Sequence, residues 1–258
     1  MPFFLLVPFY TRSSELVLSV NKINEFVYYY FEAFPGILNW QKRLWLTVQE
    51  FAKFRNCLPD KITDEEFAKH EDYIFDSRNY YLKGANFNYS VAYQFNVAIS
   101  KMQGLTNSLR KVPTSAFAHS VQFERALGSL LIVLAPIAPH FASELWSCFS
   151  SAPNRLGSDF AWDKNVFEQK WPEVDGGYNL DLVYQVNGTE LGVVKISRTD
   201  LEKMSEEEVV EIACVQKEVN EILRAKPMVG HIYNLCVGYE GVVNILTEKR
   251  QNRKEIAN

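Results

Sequence analysis

The sequence predicts an α-helical bundle followed by a small α+β domain of ββαββ order, and three observations predict it. From residue 35 to residue 149 apolar side chains recur at three- and four-residue spacing, the period of helices that bury one face. Residues 150–178 lose that period and collect Pro, Gly, Asp and Asn. Beyond them "LVYQVNGTELGVVK", residues 182–195, sets Asn187-Gly188 between two β-rich runs. Both central residues of a two-residue type I′ turn need φ > 0, which Asn and Gly adopt at least cost, so this pair predicts a hairpin.

The elements follow in order. "PGILNWQKRLWLTVQEFAKFRNC" places Ile37, Trp40, Leu44, Trp45, Val48, Phe51 and Ala52 on one side of a first helix that starts at Pro35. Trp40 and Trp45 read as core. Thr63, with Glu66 three residues on, makes a capping box that opens a second helix of about six turns. A third spans Tyr93 to Leu109, with Phe95, Ala98, Ile99, Met102, Leu105 and Leu109 as its buried stripe. A fourth runs from Ala116 to Leu134 and is stopped by Pro136; Pro139 then suits the first turn of a fifth, whose Phe141, Leu145, Trp146 and Phe149 share a face. In the aperiodic stretch Trp162, Phe167 and Trp171 suggest a linker pinned to a surface. After the hairpin (180–196), Ser205 caps one helix with Val209, Ile212, Val219, Ile222 and Leu223 on its apolar face, ended by Pro227. "HIYNLCVG" and "GVVNILTE" are two closing strands. The division expected is an atypical N-terminal segment (1–33), the bundle (34–149), a linker (150–178), the α+β domain (179–250) and a polar tail (251–258).

Composition narrows the function. With 258 residues, 47% of them hydrophobic, the chain can build two cores. A net charge of −4 argues against binding nucleic acid through bulk positive charge, so any RNA contact must be patchy. Cys57, Cys148, Cys214 and Cys236 lie far apart with no zinc or disulfide spacing, which fits a reducing compartment. No metal site is expected. No apolar run reaches bilayer length, so no membrane partner is expected. The first residues, "MPFFLLVPFYTRSSELVLSV", have neither the basic start of a secretory signal nor the Arg-rich character of a mitochondrial presequence.

Four stretches carry a family resemblance: "PGILNWQKRLWL", "FNVAISKMQGLTNSL", "LAPIAPHFASELW" and "QVNGTELGVVKI". Over about residues 34–250 the order of signals resembles the C-terminal portion of leucyl-tRNA synthetase, a class I aminoacyl-tRNA synthetase, in its mitochondrial form. The third stretch is similar to the Pro-x-x-Pro-His…Leu-Trp signature of class I anticodon-binding domains, which is the fold the resemblance implies for the bundle. The fourth, after "WPEVD", narrows the family to leucine. The parent reaction is the ATP-dependent attachment of leucine to leucine tRNA in mitochondrial translation. Its His-Ile-Gly-His and Lys-Met-Ser-Lys-Ser signatures and its editing domain lie upstream of the bundle, so the resemblance implies a tRNA-binding portion without catalytic residues. No cofactor is expected in this chain, ATP belonging to the parent enzyme. The implied partners are leucine tRNA and the catalytic part of the enzyme, and the implied location of the parent is the mitochondrial matrix.

Two echoes of catalytic motifs are discounted. Lys203-Met204-Ser205 is followed by acids that would repel ATP phosphates, and His231-Ile232 lacks a second histidine. His70, His119, His140 and His231 are scattered, and Asp64-Glu65-Glu66 and Glu206-Glu207-Glu208 sit where acids complement helix dipoles. The candidate tRNA-binding residues are Lys42, Arg43, Lys53 and Arg55 on the first helix, Lys195 and Arg198 after the hairpin, Arg224 and Lys226 at a helix end, and Lys249 and Arg250, with Arg253 and Lys254, in the tail. The competing reading is a non-catalytic protein-interaction module that uses exposed apolar surface. No nucleophile and base at a defensible spacing support a hydrolase.

Overall fold

The computed structural model describes residues 20–57, 63–157 and 159–248, with side chains from residue 35 onward. The chain forms two compact units, Met1–Pro172 and Glu173–Asn258.

Among the described residues, six α-helices build the first unit: α1 (Val20–Asn56), α2 (Asp64–Ser90), α3 (Phe95–Leu109), α4 (Thr114–His119), α5 (Val121–Leu134) and α6 (Pro139–Ser150). α1 does not begin at Pro35 but encloses it. A proline removes one backbone donor, yet its fixed φ is itself helical, so the repeat continues on both sides. Thr63 caps α2 by accepting from the Glu66 amide at 3.3 Å, but only half of the expected box forms. The Glu66 carboxylate takes the Thr63 hydroxyl instead, at 3.1 Å.

The expected fourth helix is two. Ser120 adopts extended backbone (ψ 125°) and its side chain accepts from the Phe123 amide at 2.8 Å, ending α4 and capping α5. A serine that can bond its own backbone competes with helix continuation. α5 is apolar on nearly every side and lies in the middle of the bundle, buried without interruption from Ala126 to Leu134. Around its start, Phe51, Phe117 and Phe123 pack with ring centroids 4.2–6.1 Å apart, and Phe149 meets Phe51 at 5.1 Å.

The described residues 151–157 and 159–172 are a strap of this unit. Phe160 and Trp162 lie against Phe149 at 5.9 and 5.3 Å. Gly128 makes room for Phe160: a Cβ there would sit 2.3 Å from its ring. Trp146 donates to the Lys164 carbonyl at 3.0 Å, Trp171 to Asn86 Oδ1 at 2.9 Å, and Asn86 returns a bond to the Pro172 carbonyl at 3.0 Å. Phe167, expected to help pin the segment, is 58% exposed.

Among its described residues the second unit holds a four-stranded sheet, β1 (Asn179–Val186), β2 (Thr189–Ser197), β3 (Met228–Cys236) and β4 (Glu240–Thr247), in the order β2-β1-β4-β3. Both hairpins are antiparallel, and β1 and β4 pair in parallel at the centre. Asn187 (φ 50°) and Gly188 (φ 81°) form the expected turn. The Asn187 amide group also donates to Thr247 Oγ1 at 2.9 Å and accepts from the Thr247 amide at 3.0 Å, which prolongs the central ladder past the strand end. Leu180, Leu182, Tyr184, Val243 and Ile245 are buried on one face under the helices.

Those helices are three rather than one, so the order is ββαααββ: α7 (Arg198–Lys203), α8 (Glu206–Val215) and α9 (Lys217–Ala225). At 3.6 residues per turn an unbroken helix would point the apolar side chains after Gln216 about 130° away from Val209, Val210 and Ala213. The extended Gln216 (ψ 137°) lets Val219 bury as they do.

Candidate nucleic-acid interface

The structure sorts the basic candidates by what already holds them. Arg55 is fully buried, the opposite of an RNA contact. Its Nη2 lies 3.1 Å from Glu124 Oε2, Nε donates to the Phe117 carbonyl at 3.0 Å, Nη1 to the Asn154 carbonyl at 2.7 Å, and the guanidinium carbon sits 4.8 Å from the Phe51 ring centroid. Asn154 answers with a bond to the Arg55 carbonyl at 2.8 Å, while Glu124 accepts from the amides of Leu156 and Gly157. Burial pulls the Arg55 pKa below the ordinary arginine value, against the raising pull of Glu124. The residue joins the end of α1, the α4–α5 break and the strap.

Arg198 is likewise committed. It pairs with Glu202 at 2.8 Å and Glu173 at 3.1 Å and donates to the Val174 carbonyl. Burial lowers its affinity for the proton, but the two carboxylates outweigh this and raise it. Glu202 also accepts from the Gly238 amide at 3.1 Å, so the cluster fixes α7 to the β3–β4 turn.

Other candidates keep their charge at the surface. Lys42, Arg43 and Lys53 are exposed on α1. Lys42 and Lys53, eleven residues apart, fall about three turns apart on one face, with Arg43 about 100° round the helix. Lys195 pairs across the hairpin with Asp181 at 2.5 Å and remains exposed. Arg224 is exposed in the last turn of α9, and Lys226, its C-cap, is half-buried. Lys249 and Arg250 lie outside the described residues.

Sequence reasoning passed over two exposed cations, Arg110 and Lys111, that follow α3. Their signal was position: basic residues directly after Leu109, where a helix C-terminus favours them. Arg110 reaches Thr47 Oγ1 at 3.1 Å and Glu50 at 3.3 Å.

The motif echoes resolve structurally. Lys203 ends α7, and Ser205 caps α8 through a complete box with Glu208. His231 lies in β3 and approaches Glu206 at 3.2 Å. The four histidines stand on α2, α4, α6 and β3. Among the described residues no group of three or more His, Cys, Asp or Glu could hold a metal ion, and no helix is long and apolar enough to cross a membrane. Exposed cations, amides and hydroxyls are present on these helix faces.

Comparison with known proteins bears on the family of the chain. The family model for the anticodon-binding domain of tRNA ligase matches residues 71–235. A probable mitochondrial leucine–tRNA ligase of Mus musculus is 32% identical over 151 residues, 57% of this chain and 17% of that protein. A leucine–tRNA ligase of Acaryochloris marina (strain MBIC 11017) is 28% identical over 197 residues, 73% of this chain and 21% of that protein. The crystal structure of a ternary complex, Agrobacterium radiobacter K84 agnB2 LeuRS-tRNA-LeuAMS, aligns with 85% of this chain and 25% of that one at 20% identity and a TM-score of 0.49. The chain thus spans about a fifth of the length of these relatives.

Proposed function

The chain belongs to the family of the anticodon-binding domain of tRNA ligases, and on that premise we propose that it is the tRNA-holding portion of a leucine–tRNA ligase of mitochondrial type. One observation carries the reading: the family match covers residues 71–235, and the matching relatives are leucine ligases, a mitochondrial one among them. The partner is leucine tRNA, the place of action the mitochondrial matrix, and the parent reaction the ATP-dependent attachment of leucine. In that reading this chain supplies grip and orientation, and ATP is handled by the catalytic part of the enzyme.

RNA is held through its backbone and shape, which calls for cations and hydrogen-bonding side chains rather than a pocket. Of the residues first considered, Lys42, Arg43, Lys53, Lys195, Arg224 and Lys226 remain at least partly accessible for this task. The test is a titration of the purified chain with leucine tRNA and with a short-armed tRNA of another amino acid, at low and moderate salt. Tighter binding of leucine tRNA that weakens as salt rises is expected; equal, negligible binding of both overturns the reading.

A second reading, a protein-interaction module, has its own observation. The sheet face away from the helices carries apolar side chains in the open, Val193 at 43% and Ile232 at 48% exposed. Concentration-dependent self-association with no tRNA affinity would favour it.

A further inference from the structure

Acidic side chains are spread unevenly over this chain. It holds 31 Asp and Glu against 27 Lys and Arg, yet between Asp76 and Glu124 there is not one acid. This stretch forms the C-terminal half of α2, the turn after it, α3 and α4. The first half of α2 is the reverse, with Asp64, Glu65, Glu66, Glu71, Asp72 and Asp76.

Within the acid-free stretch, Asn96, Ser100, Gln103, Asn107 and Arg110 recur at four- and three-residue spacing along α3 and its C-cap. All are exposed except Gln103, which is half-buried. Neutral amides and hydroxyls flanked by cations are the side chains that meet sugar and phosphate. Lys101 is held beside this row: its stem crosses Gly84, where a Cβ would sit 2.7 Å from Lys101 Cε, and its Nζ lies 4.9 Å from the centroid of the exposed Tyr80. At one end Arg110 shares its charge with Glu50, and Lys111 adds another. At the other end Tyr93 is 69% exposed at φ 53°, a left-handed conformation that costs a tyrosine energy.

We infer that the outer face of α3, with the α2–α3 turn, is where the first unit grips the sugar–phosphate backbone of a folded RNA, with Tyr93 offering its ring to an unpaired base. The inference rests on the tRNA-holding reading and adds the place of contact. Charge selects the occupant: a polyanion is repelled by the first half of α2 and meets no carboxylate along α3 until Glu50 at its far end. Aromatic faces beside cations such as Lys101 and Lys111 accept bases without regard to sequence.

The test compares two variants of the full chain that change net charge equally. Ser100→Glu with Asn107→Glu adds two negative charges to the α3 face at exposed positions. Lys69→Glu makes the same change on the acidic half of α2. With folding verified by circular dichroism, the α3 double variant is expected to bind leucine tRNA about tenfold or more weakly, with a shallower salt dependence, and Lys69→Glu within about twofold of the parent chain. Wild-type affinity in the double variant overturns the inference, as does an equal loss in both variants, which would mean that only overall charge matters. If the unmodified chain binds no tRNA, the reading beneath the inference fails first.

Discussion

Arg55 shows how a single side chain can change meaning between sequence and structure. In "FAKFRNC" it follows Lys53 by two residues and reads as surface charge, yet it continues the stripe of Trp40, Leu44, Val48 and Phe51 at the same three- and four-residue spacing. That spacing was legible; its partners at Phe117, Glu124 and Asn154 were not, because they arrive from 62 to 99 residues away. Breaking a buried ion pair leaves the other charge unpaired, so Arg55→Met should cost about 3–5 kcal/mol in urea unfolding. Lys42→Met, at an exposed site, should fall within about 0.5 kcal/mol. The cysteines offer a second test. Burial pushes the thiols of Cys148, Cys214 and Cys236 upward, aided by Glu144 at the first and Glu240 at the last. A raised thiol holds its proton at neutral pH and the thiolate is the nucleophile, so iodoacetamide should label the exposed Cys57 well before the other three.

At the level of elements, the signals that act within a few residues were readable. Ser205 and Glu208, Pro139, and the Asn187-Gly188 turn stand where the sequence puts them. The breaks at Ser120 and Gln216 were hidden. Each lies in a run whose local propensity is helical, and the break answers to Arg55 in one case and to the sheet in the other. α7 was missed although Ser197 with Asp200 is a capping pair three residues apart. The strap depends on one absent methyl group. Gly128→Ala would drive a Cβ into the Phe160 ring, which must then leave its place against Phe149 and Trp146. A loss of about 1–3 kcal/mol is expected, with faster protease cleavage within residues 152–172. Unchanged stability and an unchanged digest would remove the strap's claim to be part of the core.

Across the whole molecule, two separate buried clusters underlie the two units, one centred on α5 and one between the sheet and its helices. Two cores imply two cooperative transitions rather than one. Gly128→Ala should lower only the transition of the first, and Asn187→Ala, which loses a left-handed turn residue and its bonds to Thr247, only that of the second. Fluorescence can assign the first, since all five tryptophans, Trp40, Trp45, Trp146, Trp162 and Trp171, belong to it. A single transition that both substitutions shift together would show that the units unfold as one.

The network around Arg55 also sets a timetable for synthesis. α1 is made before the helices and the strap that surround it, so the guanidinium at its end lacks its acceptors until Phe117, Glu124 and finally Asn154 have followed. At about 5–20 residues per second the gap of 99 residues lasts about 5–20 s. Until then the buried end of α1 lacks the acceptors that offset its charge, so the first unit closes around that end only once its strap emerges.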